Sequence, residues 1–462
     1  MKLNRLTIDN YRCYQHTEFE LGKKTTVFIG KNGTGKSSVL KALKSTLDVF
    51  FIKNTWGFND SFAGPVPGLK PTQIKSTDFW HNNRSETAES ICLTTEADFQ
   101  GVALPRWSVF QYSRNLSKLK TTMVKEAFIE LLQRKNMSGT YPFFAYYSDR
   151  FPHIDHNNNP VSPSEQEVYN EEIDPRWGYW RWDKEPAASR VWRQRYGHTY
   201  RNWIDYQVRI IESGSVDELS ASEQIRCVQM QRELDFVKNR IVSFTQRGNP
   251  ELSFDDTDWS VSNIGVNGED ELTITLDNSE KIDWNELPAG YERLLNIVFD
   301  IAYRSLLLNG PEKEVQGVVI IDEVDLHLHP SLHRDVLQRF RLAFPEVQFI
   351  VTTHSPIVVS HFPVTEGNKI IKLEHVNGQY HHSDVPDWSH LDYLTTLQMI
   401  MDTDPNSNYL RDLKDRYIRF KRRGQEELAN DVIELIGDMV NNNQERMNSI
   451  IVELNHRLEE EQ

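Results

Sequence analysis

Residues 27–43, VFIGKNGTGKSSVLKAL, constrain the fold more than any other part of the chain. An apolar run, residues 26–29, leads into Gly30, four intervening residues, Gly35, Lys36 and Ser37, and then a helix-compatible run over residues 38–44. A strand that ends in such a turn and opens directly into a helix is the phosphate-cradling P-loop pattern. Glycines allow the tight turn in which successive N–H groups point at one anion, and the positive end of the following helix adds to the attraction. The expected nucleotide loop is therefore Gly30, Lys31, Asn32, Gly33, Thr34, Gly35, Lys36, Ser37 and Ser38. Lys36 would reach the β and γ phosphates, and the Ser37 hydroxyl would ligate Mg²⁺.

A P-loop needs partners, and the second half of the chain carries candidates. In VQGVVIIDEVDLHLHP a β-branched run at 318–321 reads as a strand buried on both faces, and it ends at Asp322 and Glu323. Asp322 would hold Mg²⁺ through water beside the P-loop, and Glu323 would orient or deprotonate the attacking water. In VQFIVTTHSP a further apolar strand, 349–351, ends in Thr352, Thr353 and His354. Residues 331–344 read as a crossover helix between the two, which places His354 on the neighbouring strand end, within reach of the γ-phosphate or the water. Taken singly, adjacent acids also suit a surface, and a strand-end histidine also suits a turn cap.

Composition bounds the rest. A chain of 462 residues with 38% hydrophobic and 26% charged content has room for two or three packed units. No apolar run is long enough to span a bilayer, and MKLNRLTIDNY carries charge too early for a secretory signal. Cys13, Cys92 and Cys227 are scattered without paired spacing, which argues against a disulfide framework or a structural zinc site and fits a reducing cytoplasm. A net charge of −15 restricts any DNA contact to a local basic patch.

GKNGTGKSS, IIDEVDLHLHP and TTHSP together resemble the ABC-type ATPase heads of the SMC, RecF and OLD group, where Walker A, Walker B, a D-loop and a switch histidine follow in this order. The resemblance implies an α/β P-loop NTPase of ABC/SMC-head type, with a mixed sheet and flanking helices, that binds ATP and Mg²⁺. It implies a D-loop at Asp325 and His329, and a signature motif at residues 286–308, ELPAGYERLLNIVFDIAYRSLLL. In this group the signature of one protomer closes over the ATP of another. Gly290 matches the invariant glycine, whereas the usual serine is Pro288 here, so the contact would rest on Ala289, Gly290 and Arg293. NYRCYQHTEFELGKKTTVFIGKNG is similar to the N-terminal strand pair of these heads, with Arg12 where an arginine approaches the nucleotide, and YPFFAYYSDR, ending at Arg150, to a strand and loop of OLD-like ATPases.

The expected organisation is an ATPase N-lobe at 1–150, a loop and helical insertion at 151–250, an ATPase C-lobe at 251–388 and a helical segment for dimer or partner contact at 389–462. In the insertion, Trp177, Trp180, Trp182, Trp192 and Trp203 alternate with arginines. Such residues can stack on unpaired bases or pack a helical insert against its own head, and the helical recurrence of Trp203, Tyr206 and Ile210 favours packing. Residues 215–245 read as a helix with Ile225, Val228, Leu234, Val237 and Ile241 on one side. At about 1.5 Å per residue its arms stay under about 60 Å, too short for chromosome-scale tethering.

OLD proteins add a Toprim nuclease, but here only Asp402 and Asp404 have its Asp-x-Asp spacing, without the strand that should precede them. They read as a helix boundary, and the histidines near 153, 156, 381 and 382 as loop residues. A head of this kind without Toprim is similar to the PtuA-type ATPases of Septu and retron-linked antiphage systems, whose partner PtuB is an HNH nuclease. That resemblance implies a homodimer or higher even oligomer joined through ATPase heads and controlling a separate nuclease, with DNA or retron RNA/DNA as further candidate partners and no membrane. A RecF-like DNA-repair ATPase and a non-hydrolysing ATP-dependent scaffold are the competing expectations.

Overall fold

Strands β3 (Thr25–Ile29), β8 (Phe143–Tyr147), β12 (Gly317–Ile321) and β13 (Val347–Thr352) are buried at every position. Such strands have no solvent face and require cover on both sides, as in a parallel sheet. With β14 (Asn368–Val376) and β15 (Gln379–Val385) they form a six-stranded sheet in the order β15-β14-β3-β13-β12-β8. Every pairing is parallel except the β14–β15 hairpin. These relations belong to a computed structural model that describes residues 1–51, 74–81, 87–148, 173–183, 187–213, 219–246, 260–268, 271–376, 378–387, 408–439 and 444–460. Arg150, His153, His156, Asp402 and Asp404 lie outside the described residues.

A second, antiparallel sheet joins β1 (Lys2–Tyr11), β2 (Tyr14–Glu20), β4 (Ser90–Phe99), β6 (Trp107–Tyr112) and β7 (Asn115–Thr122) in the order β2-β1-β4-β6-β7, with β5 (Val102–Ala103) paired to β4. Helix Lys36–Asp48 packs against strands of both sheets and buries ten of its thirteen residues. Trp107 donates its indole N–H to the carbonyl of Thr46 at 2.9 Å, tying the antiparallel sheet to that helix. A third sheet, β11-β10-β9, joins β9 (Val261–Val266), β10 (Leu272–Leu276) and β11 (Lys281–Asp283), the last two as a hairpin about Asp277, Asn278 and Ser279. Residues 331–344 are not one helix. Two short helices, Pro330–His333 and Val336–Ala343, are separated at Asp335, whose φ of −116° and ψ of −2° leave the regular helical range.

The tryptophan-rich insertion is core. Trp177, Trp180, Trp182 and Trp192 are at most 3% exposed. Trp180 meets Trp192 edge to face at 5.7 Å, Trp192 stacks on Tyr303 at 5.9 Å, and Tyr303 stacks on Phe299. Four indoles enclosed in this way have no face to offer a nucleic-acid base. Gly178 lets the segment lie directly on helix Ala289–Asn309: a Cβ there would stand 2.5 Å from Leu308 Cγ and 2.6 Å from the Arg304 carbonyl oxygen.

Helices Ala187–Ser213 and Ala221–Thr245 pack together as a pair of about 40 Å arms. Ser220 and Glu223 form a capping box that starts the second helix. Its buried seam runs through Cys227, Met230, Leu234, Val237 and Ile241, while Ile225 and Val228 are 70% and 53% exposed. The expected stripe was wrong at these two positions because the 3-4-3-4 spacing of the seam is in phase with Cys227 and Met230 and turns residues 225 and 228 to the opposite face.

The chain divides into two compact units, Met1–Leu391 and Asp392–Gln462. In the second, helices Asn408–Arg422, Glu426–Met439 and Gln444–Glu460 share a core of Leu410, Leu413, Ile418, Val432, Ile436, Ile450 and Leu454. Leu428 and Leu435 are 44% and 47% exposed, and Val432 and Ile436 carry the contact to that core.

Trp192→Ala removes a fully enclosed indole at the junction of insertion and head. Urea unfolding should show a loss of about 3–5 kcal/mol. A change below about 1 kcal/mol would show that the insertion is not part of the cooperative core.

Candidate functional site

The parallel register determines which loops meet. Val351 stands opposite Val27 and Ile321, so β3, β13 and β12 end at one edge of the sheet. The residues that follow them are Gly30, Thr353–His354 and Asp322–Glu323. Ligand sites of open α/β sheets lie at this carboxyl edge, where neighbouring loops diverge.

The loop between β3 and helix Lys36–Asp48 depends on glycine. Gly33 and Gly35 have φ of +86° and +96°, in the left-handed region. A Cβ on Gly35 would stand 2.4 Å from the Tyr14 hydroxyl oxygen and 2.7 Å from Cys13 Sγ. Thr34 closes the turn by donating its hydroxyl to the Lys31 carbonyl at 2.9 Å, and Tyr14 donates to the Thr34 carbonyl at 3.3 Å. Lys36 folds back over the loop, donating to the carbonyls of Gly30 at 2.7 Å and Lys31 at 3.0 Å. Burial lowers its ammonium to about 8, against the pull of Asp322, Glu323 and Asp325. A cation held in this balance gains from an anionic ligand that brings further negative charge.

A cavity of about 1430 Å³ opens on this edge, lined by Asn32, Gly33, Gly35, Lys36, Ser37, Ser38, Arg12, Asp322, Glu323 and His354, among others. The structure thus brings the loop, both acids, the histidine and Arg12 to one space. Arg12 is anchored by Asp78 at 2.8 Å and has a φ of +53°. Burial, and then Lys36, lower His354 below the ordinary histidine range, against Asp325 and Asp322, which favours the neutral imidazole. Ser37 and Asp322 offer a hydroxyl and a carboxylate oxygen, the hard donors that Mg²⁺ takes. Among the described residues no group of three or more His, Cys, Asp or Glu could hold a metal ion. This donor set fits a cation that keeps most of its ligands as phosphate and water.

The remaining assigned residues stand outside the cavity lining. Pro288 is the N-cap of helix Ala289–Asn309, and Pro288 and Ala289 are exposed. Gly290 lies against the segment after the acid pair, where a Cβ would be 2.8 Å from the His327 carbonyl oxygen. Arg293 serves its own chain, donating to the carbonyls of Asp322, Val324 and Leu326 at 3.3–3.4 Å. His329 caps the short helix Pro330–His333 by accepting from the Ser331 N–H, and Asp325 has a buried carboxylate oxygen, Oδ1, without a hydrogen-bond partner. Two residues that motif reading left unassigned also shape the site. Asp78 anchors Arg12, and Thr352 bonds to both members of the acid pair. Only the Thr-Thr-His strand end hints at Thr352, and nothing local in the sequence points to Asp78.

Gly35→Ala should weaken binding of a fluorescent ATP analogue about tenfold or more, because it adds strain at a positive φ and a clash with Tyr14. Binding within twofold of the unaltered chain would show that the loop does not hold the nucleotide. Cys13 gives a pH test. Burial raises its thiol from about 9 to about 11, so the folded chain holds this proton more tightly than the unfolded one. The resulting stability is complete below about pH 9 and is lost as the pH rises towards 11. Alkylation of Cys13 at pH 8, followed by peptide mass spectrometry, should run about a hundredfold slower than for an exposed cysteine and gain about tenfold per pH unit.

A family model described as AAA ATPase domain matches residues 1–172 and 196–359. The chain is similar to the Retron Vc95 probable ATPase of Vibrio cholerae serotype O1 biovar El Tor, 24% identical over 398 residues, which covers 78% of this chain and 71% of that protein. It is similar to the Retron Ec83 probable ATPase of Escherichia coli at 22% over 397 residues, covering 78% and 69%. The Septu protein PtuA of Bacillus thuringiensis shares 31% identity over 101 residues, 21% of this chain and 25% of that one. Among solved structures, the Smc head domain with an extended coiled coil from Pyrococcus furiosus, bound to the C-terminal domain of ScpA, aligns over 83% of this chain and 96% of its own at 13% identity and a TM-score of 0.46. Since the family match takes in the loop at Gly30–Ser38, the acid pair and His354, with most of the chain around them, this protein belongs to the AAA ATPase domain family and is an ATPase.

Proposed function

We propose that this chain is the ATP-hydrolysing regulatory subunit of an antiphage defence complex, pairing head to head with a second copy and controlling an HNH-type nuclease on a separate chain. The observation that carries the reading is the convergence of Lys36, Ser37, Asp322, Glu323 and His354 on one cavity although some three hundred residues separate the loop from the acids. The defence setting rests on the relatives, two named as retron ATPases and one as a Septu protein.

In this reading Lys36 exchanges its carbonyl partners for phosphate oxygens, while backbone N–H groups of the glycine loop hold the same phosphates. Ser37 and Asp322 would hold Mg²⁺, which when bound would neutralise phosphate charge. Glu323 accepts a hydrogen bond from the attacking water and aligns it, and neutral His354 bonds to that water or to the γ-phosphate. The exposed N-terminus of helix Ala289–Asn309, carrying Pro288, Ala289 and Gly290, is the surface offered to the nucleotide of a second head. Contacts present with the γ-phosphate and absent after hydrolysis supply the free-energy difference that a switch requires.

Glu323→Gln in the full chain tests the reading. Hydrolysis should fall about a hundredfold or more with ATP affinity retained, and light scattering should show a dimer that ATP stabilises and ADP does not. Unchanged turnover would remove the role given to Glu323, and a chain that stays monomeric with bound ATP would remove head-to-head pairing. Copurification of a small HNH protein with the tagged chain from its native host checks the nuclease arm.

A further inference from the structure

Thr352 closes β13 with no exposed surface, and its hydroxyl stands between the two acids. A hydroxyl has one proton to donate and lone pairs to accept with, and here both capacities are used. Oγ1 donates to Asp322 Oδ1 at 2.6 Å and accepts the backbone N–H of Glu323 at 2.8 Å. The main-chain carbonyl of Thr352 then accepts the N–H of Val324 at 3.0 Å. Three consecutive residues of the acid segment are therefore fastened to one residue of the neighbouring strand.

The middle residue of the three requires such fastening. Glu323 has a φ of +53°, a left-handed conformation that a glutamate holds only where its surroundings dictate it. Its N–H, drawn onto Thr352, is one of those surroundings. The bond to Oδ1 also restrains the rotation of the Asp322 carboxylate. Thr353, equally buried, contrasts with this. Its hydroxyl accepts the Ser355 N–H at 2.9 Å, a local turn bond that touches neither acid.

We propose that Thr352 is a positioning residue for hydrolysis: one buried hydroxyl sets the Asp322 carboxylate and the Glu323 backbone together, so that the magnesium-holding and water-orienting acids face the glycine loop in register. The proposal rests on the ATPase reading of this cavity. Thr352→Val keeps shape and removes the hydroxyl, Thr352→Ser keeps the hydroxyl, and Thr352→Cys keeps volume with a weak donor.

Affinity for a fluorescent ATP analogue should be unchanged within about twofold in T352V when EDTA removes Mg²⁺, because the glycine loop is intact. The tightening that Mg²⁺ adds should be lost in T352V and kept in T352S. At saturating Mg²⁺ and ATP, kcat of T352V should fall about 10- to 100-fold, with KM raised by no more than the tightening that Mg²⁺ gives the unaltered chain, and T352S should stay within about threefold of the unaltered chain. Should T352V fail to fold, as thermal unfolding would report, the order Thr ≈ Ser > Cys carries the same test. Normal magnesium response and kcat in T352V, or equal damage in T352S and T352V, overturns the proposal and leaves the ATPase reading standing. An unaltered chain that neither binds nor hydrolyses ATP in these assays overturns both.

Discussion

The parallel pairing of β3, β13 and β12 is the constraint on which the rest of the molecule depends. Residues 25–29, 317–321 and 347–352 are buried on both faces, and the one large polar side chain among them, Gln348, bonds to the backbone of Leu3 and Gly22. Burial on both faces removes water as a partner for the backbone, so the strands must satisfy one another. Once Val351 is opposite Val27 and Ile321, the three chain segments leave the sheet at the same height. Each carries polar residues at that exit: a glycine turn, an acid pair and a Thr-Thr-His run. The cavity follows from this common edge, and a slip of one residue in any of the three strands would separate its members.

Buried charges show how the insertion is joined to this core. Lys44, in the helix that starts at the glycine loop, pairs with Asp48 at 3.1 Å and with Asp183 of the insertion at 2.8 Å. Burial alone would disfavour its charge, yet the two carboxylates hold it above the usual lysine range. Arg304 is fully buried between Asp300 and the Tyr147 hydroxyl, next to the strand whose carbonyl accepts the Asp322 N–H. Ion pairs of this kind contribute little net stability against their desolvation, but removing one partner leaves an uncompensated charge. They therefore specify how the insertion packs more than they strengthen it. The stacked series Trp192, Tyr303 and Phe299 supplies the apolar burial.

The electrostatics of the site suit a ligand that arrives with its own negative charge. Burial lowers the Lys36 ammonium to about 8, and burial together with Lys36 lowers His354 below the ordinary histidine range. A triphosphate would favour the charged lysine, so part of the desolvation that now depresses it would be offset by the ligand. In the proposed function Asp322 and Glu323 would not simply repel that ligand, since the former would hold a cation and the latter a water. The strained backbone at Glu323 and His327, with φ of +53° and +62°, lies in the segment that Arg293 and Thr352 hold from two sides. Conformational cost is thus concentrated where chemistry needs a defined geometry.

Local chemistry by itself determined a good deal of this protein. The glycine spacing at 30–35 demanded left-handed turns between strand and helix, and residues 318–321 and 349–351 demanded buried strands ending in acids and a histidine, because these properties depend on neighbours in the chain. An ATPase was legible from them. Tertiary structure alone decided which face of helix Ala221–Thr245 is buried, since Ile225 and Val228 are as apolar as the seam that displaced them. It decided that Arg293 bonds within its own chain, that Asp78 anchors Arg12 across more than sixty residues of sequence, and that one hydroxyl on β13 spans both acids. These contacts join residues distant in sequence, and only the completed packing of sheet and helices brings them within hydrogen-bonding distance.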